Sequence, residues 1–488
     1  MRNYSEADEH LLEHFGYRQE LKRTLGFFSS FALSFSVISV TTGLFANYGE
    51  GLRMAGPAFI WTWPIVGTGQ FVVALVFARL ARQIPVSGYA YQWARELAGP
   101  RIGWWAGWMM VVQFLFGLPA VCYALANYSL PYLGMLATNG NVQKLTIGIL
   151  VVIALINHFG VTWASVVNNV SVVTEILGTI VGGLLLLGLA LVHRTHSWGF
   201  LFSHPHNGSG VDYLGPLAFS SVVSAWTLAG FESAANLAEE TRDPVRRIPS
   251  AILLSEVSSV ILGYLVLVGF TLAMPSLEAV SSQPTPLLFI MGSHLPRAAT
   301  DAFMLFVFIS IFACALANMT TLTRIVWAMA RDHQLPSSGW LAVVSDRGVP
   351  AHAVWAVTVL SSLFVLWAKV EIVLTGISTL AGYTTYALVV GAVLWGPRQL
   401  RRAVRTCAPG NAESNAPWGV DRVERVAEHR IPLHADIVPK ALAWAALGWL
   451  LLLLAMLGFP HAAWKNSLAT LGAAVGGAVC FRFGRRRE

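Results

Sequence analysis

Leu214-Gly-Pro-Leu-Ala-Phe-Ser-Ser-Val-Val-Ser-Ala-Trp226-Thr-Leu-Ala-Gly230-Phe-Glu232-Ser-Ala-Ala-Asn-Leu237 is an apolar segment of membrane-spanning length that is interrupted in its middle. About 20 apolar residues cross a bilayer as a helix. A glycine and a carboxylate at mid-bilayer depth are costly unless they line a watery cavity. The interruption from Trp226 to Glu232 therefore reads as a site through which something polar passes.

The rest of the chain has the same character. Of its 488 residues 55% are hydrophobic and 12% charged, with a mean hydropathy of +0.60. A soluble protein of this size carries about twice that charge. Twelve spans are expected, at roughly 25–48, 57–78, 103–127, 142–158, 165–192, 214–237, 250–274, 298–329, 353–369, 371–395, 440–458 and 464–483. The fold class is an all-α polytopic membrane protein with twelve transmembrane helices.

Basic residues set the orientation, because basic loops stay on the cytoplasmic side. With the N-terminus inside, 26 of the 32 Lys and Arg residues fall on that side; Arg53, Lys144, Arg194, Arg297, Lys369 and Lys465 lie outside. Both termini are thus expected in the cytoplasm. Residues 1–24 form a charged tail before a first apolar run too long for a cleaved signal. The net charge of +7 is scattered over helix ends, which fits contact with anionic lipid and not nucleic-acid binding.

Several chemistries find little support. His10-Leu-Leu-Glu-His14 has the H-x-x-E-H spacing of some zinc proteases, but it stands in a short charged tail with no domain around it. No Lys precedes Ser or Thr, so a P-loop is absent, as are G-x-G-x-x-G and G-x-S-x-G. His193, His196, His204 and His206 of one external loop match no standard metal spacing, and Cys122, Cys314, Cys407 and Cys480 form no C-x-x-C pair. No nucleophile, base and orienting group come together in the sequence, so an enzyme is disfavoured and no cofactor is expected.

The organisation of the chain says more. Secondary transporters often carry inverted repeats whose first helices are discontinuous and meet at the substrate. Ser39-Val-Thr-Thr-Gly43 breaks the first span much as Thr227 to Glu232 breaks the sixth, and Gly43 and Gly230 lie 187 positions apart. That offset suits a five-plus-five repeat: 25–192 and 214–395 as the halves, 396–439 as a basic, proline-containing cytoplasmic linker, 440–483 as two appended helices, and 484–488 as a basic tail.

Ser224 to Ile252, SAWTLAGFESAANLAEETRDPVRRIPSAI, resembles the sixth-helix signature of the amino acid-polyamine-organocation superfamily of permeases. Pro85-Val-Ser-Gly-Tyr-Ala-Tyr-Gln-Trp93 and Ala328-Met-Ala-Arg-Asp-His-Gln-Leu-Pro336 support it, and the resemblance extends over most of 25–483. Phe31 to Gly49 and Asn168-Asn-Val-Ser-Val-Val173 look most like the amino acid/choline transporter subgroup. The resemblance implies a leucine-transporter-type fold with discontinuous helices 1 and 6, and a secondary permease of a cytoplasmic membrane importing an amino acid or related small amine. An exchanger, or a sensor that binds without transporting, is the alternative.

A broken helix leaves amides at the start of its second half and carbonyls at the end of its first. Amides of Thr42, Gly43 and Leu44 suit a carboxylate, and carbonyls near Ile38, Ser39 and Trp226 an ammonium. The family usually has Gly-Ser-Gly where this chain has Thr41-Thr42-Gly43. Trp226 resembles the aromatic that covers substrate in related permeases; the plainer alternative is one packing tryptophan among 18. Thr227 and Gly230 shape the second break. Glu232 is expected to begin the second half-helix, as an attractor for an amine, cation or proton, or as a carboxylate that only caps amides. Glu175 occupies about the place where some proton-coupled relatives have a lysine, and either it carries the proton itself or, as the alternative, Thr320, Thr321 and Thr323 help Glu175 or the first-helix carbonyls bind sodium. The alternative for those threonines is bonding to their own helix. The charges Glu239, Glu240, Arg242, Asp243, Arg246 and Arg247 form either a cytoplasmic gate paired with Arg79, Arg82 or Arg331, or a solvated helix end.

Overall fold

A computed structural model describes residues 12–13, 15, 17–159, 161–193, 196–204, 211–367, 371–406, 438–458 and 464–485. His10, His14, His206, Cys407 and most of the expected linker lie outside them. Among the described residues every element is a helix, apart from a single bridge pairing Leu25 with Thr241. Among the described residues nine apolar helical stretches are long enough to cross a membrane, one of which, Phe27–Gln83, runs to 57 residues. Ala351–Trp367 is apolar but shorter, at 17 residues.

The α-helices are α1 (Phe27–Ile38), α2 (Val40–Ala55), α3 (Thr62–Gln83), α4 (Tyr89–Ala98), α5 (Pro100–Ser129), α6 (Asn139–His158), α7 (Val161–His193), α8 (Val211–Thr227), α9 (Pro244–Ala273), α10 (Leu277–Ser281), α11 (Pro286–His294), α12 (Arg297–Arg331), α13 (Ser338–Leu341), α14 (Ala351–Trp367), α15 (Glu371–Thr406), α16 (Lys440–Gly458) and α17 (Trp464–Arg485). Two boundaries differ from expectation. The 3-10 turn Gly56–Trp61, with Pro57 in its first turn, delays α3 to Thr62. Helix α15 continues to Thr406, beyond residue 396 where the linker was expected to begin.

The interior is apolar and continuous, and the outer face is apolar as well. On α7, Val166, Val170, Leu177, Val181 and Leu184 are all exposed. Residues at such spacings share one helix face, and an exposed stripe of this kind suits contact with acyl chains. The arrangement is that of a polytopic helical membrane protein.

Two breaks organise its centre. At Ser39 the backbone is left-handed (φ 35°, ψ 88°); its amide closes α1 on the Phe35 carbonyl, and its hydroxyl caps α2 by accepting the Thr42 amide at 3.3 Å. The first break is thus one residue wide, narrower than Ser39 to Gly43. The second spans Leu228 to Gly230, where Gly230 has φ 102°, and chain resumes as a 3-10 helix, Phe231–Leu237. A side chain at Gly230 would be strained by that φ.

Candidate functional site

The two breaks interlock. A Cβ on Gly43 would stand 2.0 Å from Thr227 Oγ1, and one on Gly230 would stand 2.4 Å from Val37 Cγ1. Only glycine lets the backbones of α2 and of the second break approach this closely. Between them lies a cavity bounded by Val37, Ile38 and Thr42 at the first break, Trp226 and Ala229 at the second, Gln113, Phe114, Gly117 and Val121 of α5, Cys314 and Asn318 of α12, and Ser378 and Thr379 of α15. It leaves ≈ 30 Å³ for the centres of water molecules. At about 10–15 Å³ per water, that holds two or three waters and no amino acid.

Of the residues expected from sequence, Ile38, Thr42 and Trp226 line this space. Gly43 and Thr227 pack on each other behind it, Thr227 donating to the Val223 carbonyl at 2.7 Å. Leu44 is buried and Thr41 half-buried, both within α2. The amides expected to cradle a carboxylate are engaged here: Thr42 N–H donates to Ser39 Oγ, and Gly43 N–H to the Ser39 carbonyl at 3.0 Å. The cause is the narrow break, since α2 begins one residue after Ser39 and draws both amides into its first turn.

Glu175, on α7, reaches the first break. Its Oε1 accepts the Ser39 hydroxyl at 2.9 Å and the Thr41 amide at 3.3 Å, and Ser39 Oγ also stands 3.3 Å from Ser310 Oγ of α12. Of the threonines expected beside it, Thr320 and Thr323 are engaged elsewhere. Thr320 donates to Asn157 Oδ1 at 2.7 Å and to its own helix at Leu316, and Thr323 bonds back to Thr320. Thr321 is buried, with no hydrogen-bond partner for its hydroxyl among the described residues. On α12 it is Ser310 and Cys314 that meet the first break, the Cys314 thiol facing the Val37 carbonyl at 3.6 Å.

Glu232 lies in the first turn of the 3-10 helix, as expected, and is fully buried. Tyr89 of α4 donates to its Oε1 at 2.6 Å and Tyr386 of α15 to its Oε2 at 2.7 Å, while Tyr386 Oη accepts the Gly230 amide at 3.0 Å. Two hydroxyls thus tie α4, α15 and the second break to one carboxylate.

Of the charges beneath, Glu239 and Glu240 are in buried ion pairs, whereas Arg242 and Arg246 are exposed at the start of α9. Glu239 pairs with Arg331 at 3.0 Å and Glu240 with Arg324 at 2.9 Å, and both carboxylates are 0% exposed. Arg95 pairs with Asp332, whose Oδ2 also accepts the hydroxyls of Tyr17 at 2.9 Å and Tyr91 at 2.7 Å. Burial first, and the Asp332 charge second, pushes both tyrosine hydroxyls up, so they remain donors. The chain before α1 closes over this layer: Leu12 and Leu21 are buried, and Arg23 donates to the carbonyls of Ala238 and Thr241. In the segment 196–204 the His196 ring bonds the Met274 carbonyl and stacks on Phe200.

Sequence reading missed Gln113, Asn318, Ser378 and Thr379 on the cavity wall, Ser310 beside Glu175, the Glu232 tyrosines, and Glu256, a third fully buried intramembrane carboxylate. Glu256 alone carried a signal, a carboxylate inside the 250–274 apolar run. The others are ordinary polar residues until packing brings them together.

Residues 25–477 match the family model described as amino acid permease. Among curated proteins, similarity is found to amino-acid permease BAT1 of Arabidopsis thaliana, 27% identical over 78% of this chain and 79% of the relative. Amino-acid permease 2 of Neurospora crassa is 26% identical over 80% and 74%. The thiamine transporter thi9 of Schizosaccharomyces pombe is 24% identical over 73% and 68%.

Proposed function

Since the chain belongs to the amino acid permease family, a family of transporters rather than enzymes, we propose that it is a secondary active permease moving an amino acid or related small amine across the cytoplasmic membrane by alternating access. The observation that carries this reading is the cavity between the two helix breaks, whose wall has Gln113, Asn318, Ser378, Thr379 and Thr42 but no charged side chain. A zwitterion there has its ammonium met by helix-end carbonyls and its side chain by neutral polar groups and Trp226, while its carboxylate requires the Thr42 and Gly43 amides to leave Ser39. The substrate side chain is therefore small and uncharged.

The room in this cavity is that of a few waters, so binding such a substrate requires the lining to part. Below it, the Tyr89–Glu232–Tyr386 bonds and the buried ion pairs form the cytoplasmic barrier that must part for release. We read twelve spans arranged as inverted repeats 25–192 and 214–395, with both termini cytoplasmic; the close contacts of Gly43 with Thr227 and of Gly230 with Val37 support the pairing of the two breaks. Glu175 is the coupling group: protonation would remove its charge, weaken the hydrogen bonds that Oε1 accepts from Ser39 and Thr41, and loosen the cap of α2. This favours the proton over sodium, because the atoms presented to Glu175 Oε1 are an O–H and an N–H.

The test is uptake into proteoliposomes of labelled amino acids, 4-aminobutyrate, choline and polyamines, under proton and sodium gradients imposed separately. Uptake of a small neutral amino acid under a proton gradient is expected; no flux or exchange of any amine under any gradient overturns the reading. Two variants refine it. Trp226→Ala should raise the half-saturating concentration roughly five- to tenfold, corresponding to about 1 kcal/mol of lost aromatic contact; an unchanged value would reject it as a substrate contact. Glu175→Gln should abolish the stimulation of uptake by external acid, measured over a pH series, whereas an intact profile would move coupling elsewhere.

A further inference from the structure

Glu256 lies inside α9, is 0% exposed, and neither carboxyl oxygen has a hydrogen-bond partner among the described residues. Helix α9 packs against the 3-10 helix that carries Glu232, whose carboxyl interacts electrostatically with that of Glu256. The two carboxyls differ in one respect. Glu232 receives two hydroxyl donors, the arrangement that satisfies an ionised carboxylate, whereas Glu256 receives none. Burying an ionised carboxylate without a counter-ion or donors is far more costly than burying a neutral acid, and two adjacent carboxylates in a dry interior cannot both be charged.

Among the described residues no counter-ion is at hand on the elements packed against α9. Helix α1 has no titratable side chain; α3 has Arg79 and Arg82, both solvent-exposed; α7 has Glu175, bonded to the first break; and the 3-10 helix has Glu232. On α2, Tyr48 is bonded to Thr271, and Glu50 pairs with Arg53. His294 of α11 is bonded at the Ala273 carbonyl, at the other end of α9. Of α9's own arginines, Arg246 is exposed and Arg247 partly so, both in its first turn. Tyr383 of α15, which also interacts with Glu256, donates its hydroxyl to the Ala225 carbonyl.

We propose that Glu256 is a proton-binding site distinct from Glu175, holding a neutral carboxyl beside the ionised Glu232 while Tyr89 and Tyr386 are closed on it. The proton is exchanged with water and resides on a Glu256 oxygen. Its loss at alkaline pH places a second negative charge next to Glu232 and weakens the balance that holds both tyrosines. The site thereby links proton occupancy to the barrier under the cavity.

Infrared difference spectroscopy on the reconstituted full-length protein, with and without ¹³C-labelled glutamate, tests this without substrate or flux. Failure here is therefore separate from failure of the permease reading. Wild type should show a buried carboxylic-acid carbonyl band that moves with the isotope label and disappears at alkaline pH. Glu256→Gln should lose that band, and Glu175→Gln should keep it. Should Glu256→Gln fail to fold, Glu232→Gln serves instead. Removing the neighbouring negative charge should move the band's disappearance to lower pH. A band untouched by Glu256→Gln, no shift in Glu232→Gln, or a wild-type spectrum that answers to sodium and not to pH overturns the proposal.

Discussion

Glu240→Ala is expected to destabilise the folded protein by about 3–5 kcal/mol, among the largest effects of any single substitution in this chain. Arg324 is 1% exposed, and its guanidinium Nε donates to Glu240 Oε1 at 2.9 Å. Deleting the carboxylate leaves a guanidinium in a dry interior whose one remaining acceptor among the described residues is the Thr323 hydroxyl, at 3.2 Å. The cost is that of the stranded charge and exceeds the net worth of the pair. The double variant Glu240→Leu with Arg324→Met should therefore recover most of the lost stability. Arg297→Ala is the contrast, because its contact with Asp301 is 3.7 Å long, with side chains 95% and 45% exposed. It should leave the melting temperature unmoved. Thermal unfolding of the four proteins in detergent decides the matter: a Glu240→Ala protein melting with wild type would mean that the pair contributes no buried charge.

This pair also shows what one sequence can convey. Glu239 and Glu240 were visible as part of a charge cluster at the end of an apolar run, and Arg331 was a named partner, now found on Glu239. Arg324 was hidden, because an arginine late in a long helix reads as a helix-end charge until α12 is packed against its neighbours. The same limit holds at the site. Both breaks were legible, since serine, threonine, glycine and glutamate in an apolar run violate membrane energetics locally. Their widths were not, because the Ser39 hydroxyl caps α2 so early that Thr42 and Gly43 become helical. The cavity wall was illegible for another reason: Gln113, Asn318 and Ser378 come from three helices distant in sequence, and only tertiary packing gives them a common face.

Gly43→Ala is expected to lower transport at least tenfold and to cost about 1–3 kcal/mol of stability, the usual penalty for overpacking. The added methyl would stand 2.0 Å from Thr227 Oγ1, 2.3 Å from its Cγ2 and 2.6 Å from its Cβ. Thr227 cannot swing aside without cost, because it is buried and its hydroxyl is bonded to the Val223 carbonyl at 2.7 Å. Helix α2 must then retreat from the second break, which separates Thr42 from Trp226 and reshapes the cavity they both line. The geometry ranks the rescues. Adding Thr227→Ala removes Oγ1 and Cγ2 but keeps the Cβ at 2.6 Å, so recovery is partial. Adding Thr227→Gly clears the space fully, at about 1 kcal/mol for a glycine in the last turn of α8. Gly148→Ala on α6 is the control, for nothing stands within 4 Å of a methyl there, and alanine is the better helix former. Uptake and melting temperature measured on this series separate the two explanations of a loss at residue 43. If Thr227→Gly restores uptake to Gly43→Ala, the contact between the breaks is what transport requires. If it does not, residue 43 acts through the α2 backbone itself.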